Sequence, residues 1–305
     1  MSVAVEIPTK LLAFADRSES WGTWIDELPA LAGRLIDEWA LTVDGASMHG
    51  ECALVVPVRT AEGAAAVLKV AWPHEEAAEE HLALRFWAGR GAVKLLRADP
   101  RRSALLLERL DPRDLTSIPV IEACEVVAAL YADLHVPASP GFRTLSSLCE
   151  RWAPRLAALS SDQRLSRRDV DRAAALARAF ATDPATDGTI IHTDLHYDNV
   201  LSGDRKPWLV IDPKPLSGDP AFEIAPLLWN RWDEILATGN ARNAIRHRFE
   251  TVVDVAGLDE ERASAWVVLR MMVNAMWEVE DPSPASDEKD GWFTDSVTIS
   301  MAMGD

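Results

Sequence analysis

Apolar residues recur at three- and four-residue steps between Trp24 and Leu41, through Ile25, Leu28, Leu31, Leu35, Ile36 and Trp39. That is the period of a helix with one buried face, so the spacing predicts an amphipathic helix at the head of the chain. VDGASMHG then supplies turn chemistry. ECALVVPV and AAAVLKVAW read as two strands joined by RTAEG, where Gly63 can take a positive φ, and the hairpin ends at Lys69. After Pro73 the run HEEAAEEHLALRFWAGRG is rich in Ala, Glu and Leu and stops at Gly89, as helices do. VKLLRADPRRSALLLERL gives two further short strands around a turn.

The turn and capping residues of LDPRDLTS, at 110 to 117, separate this strand-rich part from a helical one. The expected domains are therefore 1–109 and 110–305. IEACEVVAALYADLH, LSSLCERWAPRLAAL and RRDVDRAAALARAF each show helical spacing, and ATDPATDG at 181 to 188 is a loop. From 189 the texture changes: short apolar runs, turns and many polar residues are compressed up to Phe222, and chemistry is expected there. Helices resume after Phe222, with DPSPASDEKD at 281 to 290 read as a polar loop. The fold class expected is α+β, an antiparallel-sheet lobe followed by a larger helical lobe.

Composition narrows the partners. In 305 residues, 31 Lys and Arg stand against 48 Asp and Glu, a formal charge of −17 that disfavours nucleic acid or an anionic membrane and favours a cationic partner. Hydrophobic residues at 48% and charged ones at 26% are those of a folded globular chain. Cys52, Cys124 and Cys149 are odd in number and form no Cys-x-x-Cys pair, which fits a reducing cytoplasm. No secretion signal is read at the N-terminus, and AWVVLRMMVNAMW at 265 to 277 is too short to span a bilayer and contains Arg270.

Within 190 to 213, NVL and WLVID flank SGDRKP, a tight hairpin that brings Asn199 and Asp212 close together. An amide and a carboxylate at the mouth of a hairpin offer oxygen ligands to a hard cation such as Mg²⁺. Asp194 lies in the loop leading in, where it can accept a hydrogen bond from a substrate hydroxyl. His-x-Asp with a distant His also suits non-haem iron, but the distant one, His247, lies in a charged helical stretch, and the helices argue against the β-rich barrel such iron enzymes use.

His192-Thr-Asp194-Leu-His-Tyr-Asp-Asn199 followed by Ile211-Asp212-Pro213 resembles the catalytic and metal loops of the aminoglycoside and other antibiotic phosphotransferases. WAGRGAVKLL, LLLERLDPR, WLVIDPKPLSGDPAFE and PLLWNRWDE are similar to the streptomycin 6-phosphotransferase and hydroxyurea phosphotransferase subfamily. The resemblance implies a bilobal protein-kinase-like fold, with ATP and Mg²⁺ as cofactors. It further implies Asp194 as catalytic aspartate, Asn199 and Asp212 as Mg²⁺ ligands, Lys69 on the nucleotide phosphates, and Glu80 (or Glu76, one turn earlier) holding Lys69. The backbone from Glu108 to Leu110 would receive the adenine edge, His192 would support the loop, and Asp219 would cap the following segment. Thr193 stands where many relatives have Gly, and the metal loop reads Asp-Pro-Lys.

The acceptor implied first is streptomycin at its 6-hydroxyl, with hydroxyurea, another metabolite, or a catalytically silent kinase-like binding protein as alternatives. Of the 12 Trp, Trp39, Trp87 and Trp266 sit at core spacing. Trp229, Trp232 and Trp277, near Asp233, Glu234, Glu278, Glu280 and Asp281, are the candidates for a bulky polycationic acceptor.

Overall fold

The computed structural model describes residues 5–159, 164–281 and 287–304. The chain divides into two compact units, Met1–Asp111 with Gly203–Arg205, and Pro112–Ser202 with Lys206–Asp305.

In the first unit a short helix α1 (Thr9–Leu12) precedes α2 (Glu19–Glu38). The latter begins before the apolar stripe suggests, because the Ser18 hydroxyl accepts the Trp21 N–H and caps the helix. The strands are β1 (Thr42–Val43), β2 (Met48–His49), β3 (Ala53–Arg59), β4 (Ala65–Ala71), β5 (Leu95–Asp99) and β6 (Ala104–Glu108). They form an antiparallel sheet of order β1-β3-β4-β6-β5, with β2 also on β3. β1 and β2 lie in the segment read as a turn. Residues two apart on a strand share a face. Leu54, Val56 and Val58 of β3, Leu68 and Val70 of β4 and Leu106 of β6 accordingly form one core with Leu28, Leu35 and Ile36 of α2. Lys69, between Leu68 and Val70, is turned to the opposite face.

The helix after Pro73 is shorter than predicted. A 3₁₀ turn at Glu75–Ala77 comes first, and α3 spans Glu80–Trp87. Glu75, Glu76 and Glu79 have no apolar face to bury, and one appears only with Ala83, Leu84 and Trp87.

The second unit holds α4 (Val120–Leu134), α5 (Leu145–Ala158), α6 (Arg167–Thr182), α7 (Ala225–Trp229), α8 (Trp232–Ala237), α9 (Ala241–Ala256), α10 (Glu260–Glu280) and α11 (Asp287–Ala302). Within the stretch read as a polar loop, residues 282–286 lie outside those described, and α11 already begins at Asp287. Two small antiparallel pairs carry the loops of interest: β7 (Thr189–Ile191) with β10 (Leu216–Gly218), and β8 (Val200–Ser202) with β9 (Trp208–Val210). A Cβ at Gly218 would overlap the Ile191 side chain, so the β7–β10 approach requires glycine there. Trp266 of α10 stacks on Phe180 at 3.7 Å, and Trp39, Trp87 and Trp266 are all buried. No helix among the described residues is long and apolar enough to cross a membrane.

Candidate active site

On the sheet face away from α2, Lys69 Nζ donates to both carboxylate oxygens of Glu80, at 2.7 and 2.8 Å. Lys69 is 8% exposed and Glu80 3%, so neither charge is shielded by bulk water and each depends on the other. α3 starts at Glu80, which puts this carboxylate, and not Glu76, against the strand. At the end of β6 the Glu108 carboxylate accepts the Lys94 N–H at 2.8 Å and forms a paired contact with the Arg205 guanidinium. The Arg109 side chain reaches Asp44 and the Val58 carbonyl at 2.8 and 2.6 Å. Leu110 makes no hydrogen bond among the described residues, which leaves its backbone groups available.

In the second unit, the β8–β9 hairpin pairs Val200 with Val210, and the Ile211 N–H donates to the Asn199 carbonyl at 2.9 Å. Asn199 and Asp212 therefore leave the same end of the hairpin, as the spacing predicted. His192 joins this end to the loop before it. Its Nε2 contacts the Ile211 carbonyl at 2.8 Å and its Nδ1 accepts the Asp194 N–H at 3.3 Å, which assigns the ring proton to Nε2. Burial drives His192 down to about 3, so the ring is a neutral clamp. Asn199 Nδ2 donates to the Asp194 carbonyl at 2.8 Å and to His196 Nε2 at 3.0 Å. Burial lifts the Asp194 carboxyl above its ordinary value, opposed by the charges of His196 and Lys214. Burial also disfavours a charged His196, but the Asp198 hydrogen bond and the Asp194 charge outweigh it and raise this group.

Two non-glycine residues of the site have left-handed backbones, Thr193 at φ +64° and Asp212 at φ +54°. At Thr193 this explains why a glycine would be at ease. The β-branched side chain is retained with its hydroxyl donating to the Lys214 carbonyl at 2.7 Å. Asp219 caps the next segment by accepting the Ala221 N–H at 3.0 Å, and it also accepts from Arg262 and from Trp266 Nε1, so it anchors structure as expected.

The family model for aminoglycoside/hydroxyurea antibiotic resistance kinases matches residues 38–282 of this chain. The chain belongs to that family. It is 44% identical to the streptomycin 6-kinase of Streptomyces glaucescens over 99% of its own length and 98% of that protein's. It is 40% identical to the hydroxyurea phosphotransferase of Kitasatospora aureofaciens, over 95% of this chain and 85% of that one. Among solved structures, a thermostable mutant of the aminoglycoside phosphotransferase APH(4)-Ia, in ternary complex with ADP and hygromycin B, aligns with a TM-score of 0.58. It shares 17% identity over 88% of this chain and 95% of that one, a likeness of fold. The architecture is thus the α+β, bilobal kinase-like fold of the aminoglycoside phosphotransferases.

As a member of this kinase family, the chain has a donor set that suits Mg²⁺. Both candidate ligands present oxygen: the Asn199 amide nitrogen is already committed, which leaves its oxygen, and Asp212 supplies a carboxylate. A cation already stands at that carboxylate, Lys214 Nζ donating to Asp212 Oδ1 at 2.6 Å. The chemistry of the pair is that of a hard-cation site.

The acceptor candidates are dispersed. Asp233 and Glu234 are exposed on α8, and Glu234 is paired with Arg231 at 2.6 Å. Trp232 is half-buried on that short helix and Glu278 half-buried near the end of α10, while Glu280 pairs with Arg155. Trp229 and Trp277 do converge, each facing the Arg270 guanidinium, at 5.7 and 5.0 Å. His247 is exposed on α9, remote in character from the buried His192.

Glu223 escaped the sequence reading. It is 1% exposed, and its Oε1 accepts the backbone N–H groups of His192 and, at 3.3 Å, Thr193, while Oε2 has no hydrogen-bond partner among the described residues. Burial pushes this carboxyl up to about 8, so at neutral pH it is largely an uncharged acid supporting the loop. The only signal in sequence was an acidic residue after the Asp219 cap, which ordinarily reads as helix-start chemistry.

Proposed function

We propose that this kinase transfers the γ-phosphoryl group of ATP to the 6-hydroxyl of streptomycin. The observation that carries the reading is the loop in which the His192 and Glu223 clamps hold Asp194 beside Asn199 and Asp212. The similarity to streptomycin 6-kinases along almost the whole chain supports the acceptor.

In this reading Asp194 accepts the hydrogen bond of the acceptor hydroxyl and orients its oxygen towards phosphorus. A bond forms from that oxygen to the γ-phosphorus, the bond to the bridging oxygen of ADP breaks, and the hydroxyl proton passes to Asp194. Burial favours the last step, since it makes the Asp194 carboxylate a better proton acceptor. Lys69, kept in place by Glu80, provides a fixed positive charge for the nucleotide phosphates, and the backbone around Leu110 offers the adenine edge its donor and acceptor. Asn199 and Asp212 would hold Mg²⁺, which when bound supplies neutralisation of phosphate charge. Phosphoryl transfer needs mainly positioning and charge neutralisation, and these residues provide both.

The test is ADP release from Mg-ATP with streptomycin, with other aminoglycosides and with hydroxyurea, each product being identified by mass. A phosphorylated streptomycin is expected. Phosphorylated hydroxyurea in its place would transfer the assignment to the acceptor of the Kitasatospora relative.

A further inference from the structure

On α11, Trp292, Asp295, Ser296 and Ile299 follow one another at helical spacing and share a face. That face meets α7, where the Trp292 ring stands edge-on to Trp229, with centroids 5.6 Å apart. On α10, Arg270 and Asn274 are one turn apart, and the Arg270 guanidinium lies over the same Trp229 ring at 5.7 Å. Ser264 Oγ donates to the Met303 carbonyl at 3.3 Å and so ties the beginning of α10 to the end of α11, fixing the two as an antiparallel pair. Trp229 is therefore the point at which all three helices converge.

Among the described residues, three polar groups on these faces have no hydrogen-bond or ion-pair partner. Among the described residues Asp295 makes no hydrogen bond and no ion pair, although it is only partly exposed, and burial raises its carboxyl to about 6. The Asn274 amide nitrogen and the Ser296 hydroxyl also have no hydrogen-bond partner, in residues only 2% and 1% exposed. Buried polar groups are ordinarily satisfied, and a carboxylate held partly out of water without a counter-ion is costly. The arrangement asks for a ligand that brings a cation and hydroxyl groups.

The cluster is also connected to the catalytic loop. Asn230, which follows Trp229, donates to Asp198 at 2.8 Å, and the Arg270 charge acts on the Asp194 carboxyl. A carboxylate, two indole rings, an amide donor and a hydroxyl suit a guanidinium- or ammonium-bearing cyclitol: indole faces attract cations, and a carboxylate binds a guanidinium in a paired hydrogen bond. A small neutral acceptor would leave Asp295 uncompensated.

We propose that Asp295, on the α11 face whose Trp292 meets Trp229, receives the cationic group of the acceptor and sets the enzyme's preference for cationic cyclitols. The proposal rests on the reading of the chain as a streptomycin 6-phosphotransferase and assigns a specificity residue to it. Asp295 acts in acceptor binding, and phosphoryl transfer itself stays with Asp194.

The test compares wild type with Asp295→Asn and Asp295→Glu in three measurements: streptomycin binding by calorimetry, steady-state kinetics and thermal unfolding. For Asp295→Asn, streptomycin binding is expected to weaken by about 10- to 100-fold, as the loss of one charged hydrogen-bonding partner implies. KM for ATP stays within about twofold, and Asp295→Glu recovers part of the affinity. The unfolding temperature of Asp295→Asn stays level or rises, because an uncompensated carboxylate has been removed, and a merely structural Asp295 would lower it. Unchanged streptomycin affinity in a folded Asp295→Asn variant of an enzyme that phosphorylates streptomycin overturns the proposal and leaves the function standing. A wild type that binds streptomycin through Asp295 yet does not phosphorylate it removes the function and keeps the site. A wild type that neither binds nor phosphorylates streptomycin removes both.

Discussion

His192 and Glu223 are adjacent buried groups whose proton affinities are displaced in opposite directions, and this gives the catalytic loop a defined pH signature. Glu223 is raised from its ordinary 4.5 to about 8, so its contribution to stability is complete below pH 4.5 and is lost as pH rises towards 8. His192 is lowered from 6.5 to about 3, so its contribution is complete above pH 6.5 and is lost as pH falls towards 3. Above pH 6.5 the His192 contribution is complete while the Glu223 loss continues towards pH 8, and His196, raised by Asp198 and Asp194, adds a loss of the same sign. Glu223→Gln keeps the acceptor oxygen for the His192 and Thr193 N–H groups and removes the titration. Urea unfolding at stepped pH should therefore show the variant with a shallower decline than wild type between pH 6.5 and 8, the remainder belonging to His196, and with the acid-side loss intact. An equal alkaline slope in both proteins would exclude Glu223 as its source. At this scale the sequence was legible in short spacing, which places Asn199 and Asp212 at one end of the β8–β9 hairpin with Asn199 against the Asp194 carbonyl. Glu223 was hidden because nothing in its neighbours reveals that its carboxyl is turned inward and protonated. The role proposed for Asp295 was not legible because acidic clusters draw attention first, whereas Asp295 is a single carboxylate with no hydrogen bond or ion pair among the described residues.

The elements show how Lys69 and Glu80 come to pair. Strand alternation turns Lys69 away from the α2 core, and α3 starts where it must to present Glu80 to that face. Breaking a buried pair leaves a charge without compensation, so Glu80→Ala is expected to cost about 3 kcal/mol of stability. Paired with kinetics, the variant should raise KM for ATP while leaving streptomycin affinity unchanged. A variant as stable as wild type with normal KM for ATP would refute the role of the pair. Helix starts were less legible than helix existence. α2 begins early because of a serine cap, and α3 late because its first glutamates have nothing to bury. The strands β1, β2, β7 and β10, each of two or three residues, are too short to show an alternation at all. They form because partners distant in sequence supply the hydrogen bonds, as Leu216 does opposite Ile191.

For the whole molecule, the charge of −17 gives a field that attracts cations and opposes anions. Raising ionic strength from about 50 mM to about 500 mM shortens the screening length severalfold. KM for streptomycin should then rise severalfold. A streptomycin KM indifferent to salt would confine recognition to short-range contacts. Motif order along the chain announced the kinase-like architecture. It could not bring Trp229, Arg270 and Trp292 together, because α7, α10 and α11 converge on Trp229 only in the folded chain. The central claim is that Asp194 directs phosphoryl transfer to one hydroxyl of streptomycin. Its most direct test is a phosphorus–proton NMR correlation on the streptomycin product of the wild type, run beside Asp194→Asn after ATP binding by both proteins has been measured. The account predicts phosphate on the 6-oxygen for the wild type, and for the variant a turnover lower by about 10²- to 10⁴-fold with ATP affinity preserved. Phosphate on another oxygen, or an Asp194→Asn enzyme that turns over at the wild-type rate, would contradict it.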